Sequence, residues 1–597
     1  MSLSPRLGTE AASLNASPWS LPPPWLRAWQ RDWLAGDVTA GLVVAVMLVP
    51  QSLAYAMLAG LPPHVGLMAS LLPLLAYAVF GSSAVLSVGP AAITSLMMAQ
   101  ALAPLAVPGT SAYVGLAALL ALGSGLLLMA MGWLRLGFLS QLLSRPVVQG
   151  FTVASALLIM AGQVAPLLGW TRFGDNVPEM ARAIGAHVQW QAGLPMVSVT
   201  PGDALVGGAS LILLWLGPRV LAAAGRRWQW PAAPTQVLIR LWPLCVLLGA
   251  TALAQWLAWH TPWRAAQVGA VRLSLDGLQQ TLTALAQVDG GALTGLLMPV
   301  LLISLVSFVS SMSVSQTFAL KHGDRLDADR ELLGLGLANL GSMAVGGMAV
   351  AGGLSRTVVN EAAGARSPLA GVITTGVLAL MLWAFMPWLA WLPRAALGAV
   401  VFMAVAGLVQ FRGLRDAWHY DRAEAWAFVC TALGVMVIGF DAGILLGIAW
   451  SLGTLIWRHS QPHMAEVGRL PGTEHFRNVA RYPVECLPWV LMVRVDESLD
   501  FTNILRVEQR LTEHIQQRQD VRDVVLLLSA VNHIDHSAMA SLSELDDALR
   551  EQGRVLHLAE VKGPVMDRIR RGSLDKRFAG RIFLSAQHAW DALAPRS

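Results

Sequence analysis

Two short apolar segments, Ser-Val-Gly-Pro-Ala-Ala-Ile-Thr at 87–94 and Gly-Gly-Leu-Ser-Arg-Thr at 352–357, occupy corresponding places in two long hydrophobic halves of this chain. Glycine or proline interrupts each before it reaches the roughly 20 residues a helix needs to cross a bilayer core about 30 Å thick. Interrupted backbone exists at membrane depth only where protein or a wet cavity covers its polar groups. Each segment reads as a glycine-broken loop opening a short helix, so unpaired amides and the positive end of the helix dipole are expected to face a shared cavity that favours anions. A pair of interrupted segments in matching halves is the sequence mark of a transporter's central site. The second segment also carries Arg356. Burying a guanidinium there costs several kcal/mol unless a charge, a carbonyl or water compensates it, which points to a functional role.

Composition agrees with a membrane protein. Of 597 residues, 55% are hydrophobic and only 13% charged, which excludes a soluble globular protein for most of the length. The net charge of +5 sits mainly in short loops between spans, so no nucleic-acid partner is assigned. Cys245, Cys430 and Cys486 are scattered without metal-ligand spacing and read as inert packing residues. The Pro- and Trp-rich start lacks the apolar core and small-residue cleavage site of a signal peptide, so the first span is expected to direct insertion.

Apolar runs fall at roughly 36–58, 65–80, 90–106, 113–131, 147–168, 203–217, 237–257, 293–316, 332–346, 354–363, 369–387, 395–409, 423–439 and 440–457. The third and tenth are expected to be half-helices, and the polar segments 169–202 and 259–291 to be the larger loops. The second of these loops separates two sets of seven runs, giving repeats at about 36–258 and 293–458 within a membrane domain spanning 31–461. An odd number of spans per half inverts one half relative to the other, a topology suited to alternating access. Arginines concentrate in one set of loops, among them Arg135, Arg145, Arg226, Arg227, Arg412 and Arg415, which predicts cytoplasmic termini, including residues 1–30.

From about Pro462 the charge density rises and the long apolar runs stop. Apolar β-like stretches at 489–495 and 524–528 alternate with amphipathic helical patterns at 503–517 and 537–552, predicting a small α/β domain over 480–595. It has no glycine-rich phosphate loop, and His533, His536 and His557 do not form a metal set.

Several ordered motifs carry a resemblance. Asp-Val-Thr-Ala-Gly at 37–41, Val-Pro-Gln-Ser-Leu-Ala-Tyr-Ala at 49–56, Ser-Val-Gly-Pro at 87–90, Gly-Leu-Gly-Leu-Ala-Asn at 334–339 and Gly-Leu-Ser-Arg-Thr-Val-Val-Asn at 353–360 resemble the sulfate permease (SulP) family of anion transporters. The tail resembles that family's sulfate transporter and anti-sigma antagonist (STAS) domain. The resemblance implies an all-α polytopic membrane domain of about fourteen segments, arranged as a seven-plus-seven inverted repeat with core and gate domains, followed by the α/β STAS domain. It places the anion between the third and tenth helices. Carried onto this chain, the substrate-binding residues are Gln51 and Tyr55, the backbone amides of Ala91, Ala92 and Ile93, and Ser355 with Arg356. Gln51 alternatively makes an interhelical hydrogen bond, Tyr55 alternatively packs, and Arg356 alternatively clamps backbone carbonyls.

The chain departs from many bacterial and plant relatives at Ser310, where they carry a carboxylate. A hydroxyl does not titrate near neutral pH, so coupling to a proton or cation is expected to be weak or to lie elsewhere, with Glu361 the nearest substitute. Ser537 matches the phosphate-accepting serine of anti-sigma antagonists, although it or Asp535 equally serves as a helix cap. The expected function is secondary active transport of an inorganic anion, sulfate first, in a bacterial inner membrane. Bicarbonate, chloride or a dicarboxylate, and a channel or sensor role, are the alternatives. A homodimer and a cytoplasmic partner of the STAS domain are implied. No nucleophile, base or metal set suggests an enzyme, and no cofactor is expected.

Overall fold

A computed structural model describes residues 23–141, 144–170, 177–191, 194–197, 199–229, 232–269, 279, 283, 290–324, 326–518 and 520–594. The chain divides into two compact units, 1–451 and 452–597.

The first unit is helical. Its membrane helices are α1 (Leu34–Leu58), α2 in two pieces (Pro63–Met68 and Leu72–Phe80), α3 (Ala92–Leu102), α4 (Ser111–Trp133), α5 (Arg145–Gly162), α6 (Pro201–Arg227) and α7 (Ala232–His260). The second half repeats the count with α8 (Gly290–His322), α9 (Ala328–Ala344), α10 (Leu354–Ala362), α11 (Leu369–Leu389), α12 (Arg394–Ala406), α13 (Arg422–Val437) and α14 (Phe440–His459). Each falls on one of the apolar runs. Among the described residues seven helices are long and apolar enough to cross a membrane. Trp133, Trp228 and Trp259 are exposed at helix ends, where aromatic belts sit at bilayer interfaces.

The ends of α9 and α13 are set by their sequence. Asp327 accepts from the amides of Asp329 and Arg330, and Asp421 accepts from that of Ala423, each satisfying amides that an α-helix leaves unpaired. Asp37, fully buried on α1, joins the two halves by accepting from the amides of Arg366 and Ser367 at 2.8 and 3.1 Å and from the Ser367 hydroxyl at 2.5 Å. These bonds fix the turn that opens α11.

Several details differ from the sequence reading. The second run is not continuous, because a turn at Ala69 to Leu71 precedes Pro73 at the start of the second piece. The expected loop over 169–202 contains a helix, Val177–His187, and a hairpin pairing Val188–Gln191 with Leu194–Val197. A short helix, Arg412–Tyr420, lies between α12 and α13; its arginines and aromatics hid it from an apolar-run search. Cys245 and Cys486 are exposed and Cys430 half-buried, so the first two do not pack a core.

The second unit is a sheet between helices. Its strands are β3 (Met464–Arg469), β4 (Phe476–Asn478), β5 (Val490–Val495), β6 (Asp523–Leu527), β7 (Val555–Ala559) and β8 (Ile582–Phe583), following β1 (Val88–Gly89) and β2 (Ala351–Gly352) of the first unit. The order is β8-β7-β6-β5-β3-β4, with β5 to β8 parallel and β3 antiparallel to both its neighbours. The sheet therefore takes in residues ahead of 480. Helices α15 (Ile504–Gln517), α16 (His536–Glu551), α17 (Gly563–Arg571) and α18 (Ala586–Leu593) cover it. Val493, Leu526 and Leu558 face one apolar cluster, while Met492, Val525 and Leu527 face another, as alternation on a strand buried on both sides requires.

Asp546 on α16 has no exposed side-chain surface and takes hydrogen bonds from Arg577 and Arg581. Burial opposes its charge, but those bonds and the nearby Arg550 outweigh it and hold the carboxyl below the usual carboxylate range. Asp496 is held low in the same way, burial being offset by Arg494 and His463. A carboxylate with a depressed folded pKa contributes stability above its unfolded value, about 3.9, that is lost as pH falls through the folded value. We expect the second unit, followed by denaturant titration, to hold its midpoint near neutrality and lose stability below about pH 4. Asp546→Asn should flatten that acid limb; an unchanged limb would show that these carboxylates do not control it.

Candidate functional site

The two interrupted segments meet. β1 (Val88–Gly89) pairs antiparallel with β2 (Ala351–Gly352), in the register Val88 with Gly352 and Gly89 with Ala351. The amide of Gly353 adds a bond to the Ser87 carbonyl at 3.1 Å. Each strand runs within a few residues into a half-helix, β1 into α3 and β2 into α10. With 11 and 9 residues, these helices are about 16 and 13 Å long, so neither spans a bilayer alone. Neither N-terminus has a side-chain cap, which leaves first-turn amides and two positive dipole ends at the strand pair.

α10 is amphipathic in the inverse sense to a soluble helix. Arg356, Thr357 and Asn360 form its buried face, whereas Leu354 and Val358 are exposed. Arg356 is 1% exposed and donates from Nη1 to the carbonyl of Pro90 and from Nη2 to that of Ala351 at 3.2 Å. The clamp alternative for this residue is thus present in the geometry. Its Nε has no hydrogen-bond partner and no ion pair reaches it among the described residues. A methyl group on Gly353 would stand 2.7 Å from Nη2, so glycine is what admits the guanidinium.

α1 packs against both half-helices and presents Gln51 and Tyr55, both buried. Pro50, just before Gln51, removes a helix hydrogen bond and loosens the backbone there. The Oε1 of Gln51 and the Oγ of Ser87 are buried without partners, and the Tyr55 hydroxyl lies within electrostatic reach of Arg356. Ala91 and Ile93 are half-buried, Ala92 is buried, and Ser355 is exposed. A fixed cation, two uncapped helix starts and orphaned polar atoms make a site suited to an anion.

Of the other singled-out positions, Ser310 borders this cluster through Ile93. Ser310 is half-buried on α8 and lines a small cavity with Ile93, Phe151, Thr152, Val306 and Ile444. Glu361, at the far end of α10, is bonded to Lys321 Nζ at 2.6 Å with His322 3.3 Å away, an ion-paired helix-end residue. Ser537 is exposed in the first turn of α16, whose cap is Asp535, accepting from Ala538 at 2.8 Å. That leaves the Ser537 hydroxyl free of the capping role.

Sequence reasoning missed the residues that hold the strands. Asn339 on α9 clamps Val350, donating to its carbonyl at 3.1 Å and accepting its amide at 3.0 Å. Ser311, next to Ser310, accepts from the Gly352 amide at 2.8 Å. Thr357 accepts from the Ser87 amide at 3.2 Å, and Asn360 donates to the Val85 carbonyl at 2.8 Å.

Comparison with known proteins places this geometry in context. A family model described as the sulfate permease family matches residues 34–431, and a STAS domain model matches 481–589. Sulfate transporter 4.1, chloroplastic, of Arabidopsis thaliana is 33% identical over 87% of this chain and 74% of its own length. A probable sulfate transporter of Mycobacterium tuberculosis is 31% identical over 98% of this chain and all of its own. Among solved structures, SLC26A9 superposes with a TM-score of 0.83 at 19% identity, covering 95% of this chain and 91% of that one. The transmembrane domain of the cyanobacterial bicarbonate transporter BicA gives 0.57 at 21% identity, covering 71% and 99%.

Gly353→Ala should push the guanidinium off its carbonyls and weaken sulfate binding about tenfold or more, with helix content by circular dichroism retained. Arg356→Lys keeps the charge but cannot fork to both carbonyls, and a comparable loss is expected. Calorimetric titration of the purified full chain measures both; unchanged affinity in either variant would remove Arg356 from the site.

Proposed function

The chain belongs to the sulfate permease family, and from that premise we propose that it moves an inorganic anion, sulfate first, across a membrane by alternating access between core and gate domains. One observation carries the reading: Arg356 sits buried where two uncapped half-helices begin, so positive charge collects at one interrupted point of the membrane unit. An anion arriving there gains free amides and a fixed cation without meeting a carboxylate at position 310. Gln51, Tyr55, the Ala91 to Ile93 amides and Ser355 complete the binding set, with the orphaned Gln51 Oε1 and Ser87 Oγ supporting a polar, hydrated pocket. The names of the Arabidopsis and mycobacterial relatives support sulfate over bicarbonate or chloride.

Ser310 carries the coupling question. It lies in the wall beside Ile93, close to the start of the first half-helix, and a hydroxyl there supplies no titratable charge. Glu361 is engaged by Lys321, which makes it a poor replacement. Transport is therefore weakly driven by proton or sodium gradients. The protein is a homodimer of a bacterial inner membrane with both termini cytoplasmic, and its STAS domain offers Ser537 as a phosphate acceptor to a cytoplasmic partner.

Uptake of radiolabelled sulfate into proteoliposomes under imposed pH and sodium gradients tests this. Saturable uptake with trans-stimulation is expected, and a linear, non-saturable flux would favour a channel. Ser310→Glu should introduce dependence on one gradient. Steep gradient-driven accumulation by the unaltered chain would place coupling elsewhere.

A further inference from the structure

Besides Asp37 and Asp203, the membrane unit buries another carboxylate that the anion site does not use. Glu331, in the first turn of α9, is 0% exposed. Its two carboxylate oxygens take the Tyr77 hydroxyl at 2.9 and 2.8 Å, the Ser82 hydroxyl at 2.6 Å, the Ser82 amide at 3.3 Å and the Ser315 hydroxyl at 3.2 Å. Every one of these partners donates, the environment an acceptor-only carboxylate requires. A buried charge held by hydrogen bonds alone is costly to build, so its placement has to be explained by what it holds.

It holds the approaches to both strands. Ser82 lies in the segment that leaves α2 and leads to β1, and the Tyr77 oxygen also accepts the Ser83 amide at 3.3 Å, fixing the same segment. Ser315 is one turn beyond Ser311 on α8, and Ser311 takes the Gly352 amide of β2. Asn339, two turns after Glu331 on the same face of α9, clamps Val350 immediately before β2. α9 thus anchors β1 through Glu331 and β2 through Asn339, and Glu331 reaches β2 a second way through α8. Gly334, between the two on α9, lets the helix lie against Gly81, since a methyl there would stand 2.7 Å from the Gly81 Cα.

We propose that Glu331 is a positioning residue for the anion site, setting the register of β1 against β2 and so the spacing of the two half-helix starts around Arg356. The inference rests on the anion-transport reading. Glu331→Gln replaces one acceptor oxygen by an amide donor facing hydroxyls and amides that all donate, so one arm of the clamp opens. Ser82→Ala removes the hydroxyl bond of the β1 arm while the Ser82 amide and Tyr77 bonds remain, and Ser315→Ala removes the α8 bond alone.

The test reconstitutes the full chain and four variants, Glu331→Gln, Ser82→Ala, Ser315→Ala and Glu331→Asp, in proteoliposomes and measures sulfate uptake per reconstituted protein, together with hydrogen–deuterium exchange of peptides covering 82–91 and 349–357. The half-saturation concentration should rise roughly three- to tenfold in each of the first three, more than the maximal rate falls, the range by which residues acting through a packed network move a coupled site. Exchange should rise in 82–91 for Ser82→Ala, in 349–357 for Ser315→Ala, and in both for Glu331→Gln. Glu331→Asp, which restores the charge with shorter reach, should recover part of the affinity. Lower yield with unchanged half-saturation and unchanged exchange in both peptides would reduce Glu331 to a folding residue and overturn the proposal. Absence of sulfate uptake by the unaltered chain would instead overturn the transport reading, and the exchange patterns would still decide the positioning role.

Discussion

Backbone groups in a membrane interior must find partners inside the protein, and this one requirement organises the first unit. Two interrupted helices leave two stretches of chain without their own hydrogen bonds. They satisfy each other as β1 and β2, and the remaining amides and carbonyls are taken up by side chains: Ser311 at Gly352, Asn339 at Val350, Thr357 at Ser87, Asn360 at Val85 and Arg356 at Pro90 and Ala351. Ser311 of α8, Asn339 of α9 and Arg356, Thr357 and Asn360 of α10 are spent at these points. Once so much polarity is committed to holding the strands, the atoms left over, such as Gln51 Oε1 and Arg356 Nε, become conspicuous. Left over beside the strand pair, they mark where a ligand could be held.

The broad architecture was legible because glycine and proline punctuate apolar runs strongly. The breaks at Gly89-Pro90 and Gly352-Gly353 located both half-helices, and the fourteen runs map onto α1 to α14. Arg356 was legible because a guanidinium in an apolar stretch needs a reason. A clamp on backbone carbonyls was foreseen as its alternative role, but which carbonyls was not legible, since one belongs to Pro90, 266 residues distant. Glu331 escaped notice for a different cause: in sequence it is a first-turn acid like Asp329, the pattern of a solvated helix start favoured by the dipole. Only the fold brings Tyr77, Ser82 and Ser315 around it. Ser310 and Ser311 show the same limit at finer scale, because adjacent residues on a helix point about 100° apart, and the one that touches β2 is not the one singled out from the sequence.

The second unit follows simpler rules. Alternating apolar strands and charged helices predicted its class, and the parallel order β5 to β8 is what strands joined through helices adopt. Its sheet extends ahead of the expected 480–595 through β3 and β4, which are short, antiparallel and partly polar, with Glu466, Arg469 and Arg477 among them. Arg518 pairs with Glu466 and Arg469 with Glu485, tying this edge to the parallel core.

The fork of Arg356 has a mechanical consequence. One guanidinium grips a carbonyl from each half of the membrane unit, Pro90 on one side and Ala351 on the other, so the two half-helices cannot part without breaking its bonds. They travel together. Beside them a small cavity is lined by Ile93, Val306, Val309 and Ser310 on one side and by Val147, Val148, Phe151, Thr152 and Ile444 on the other, mostly apolar side chains. On the transport reading, a mostly apolar boundary of this kind can shift at less energetic cost than the strand pair, which would have to break its hydrogen bonds.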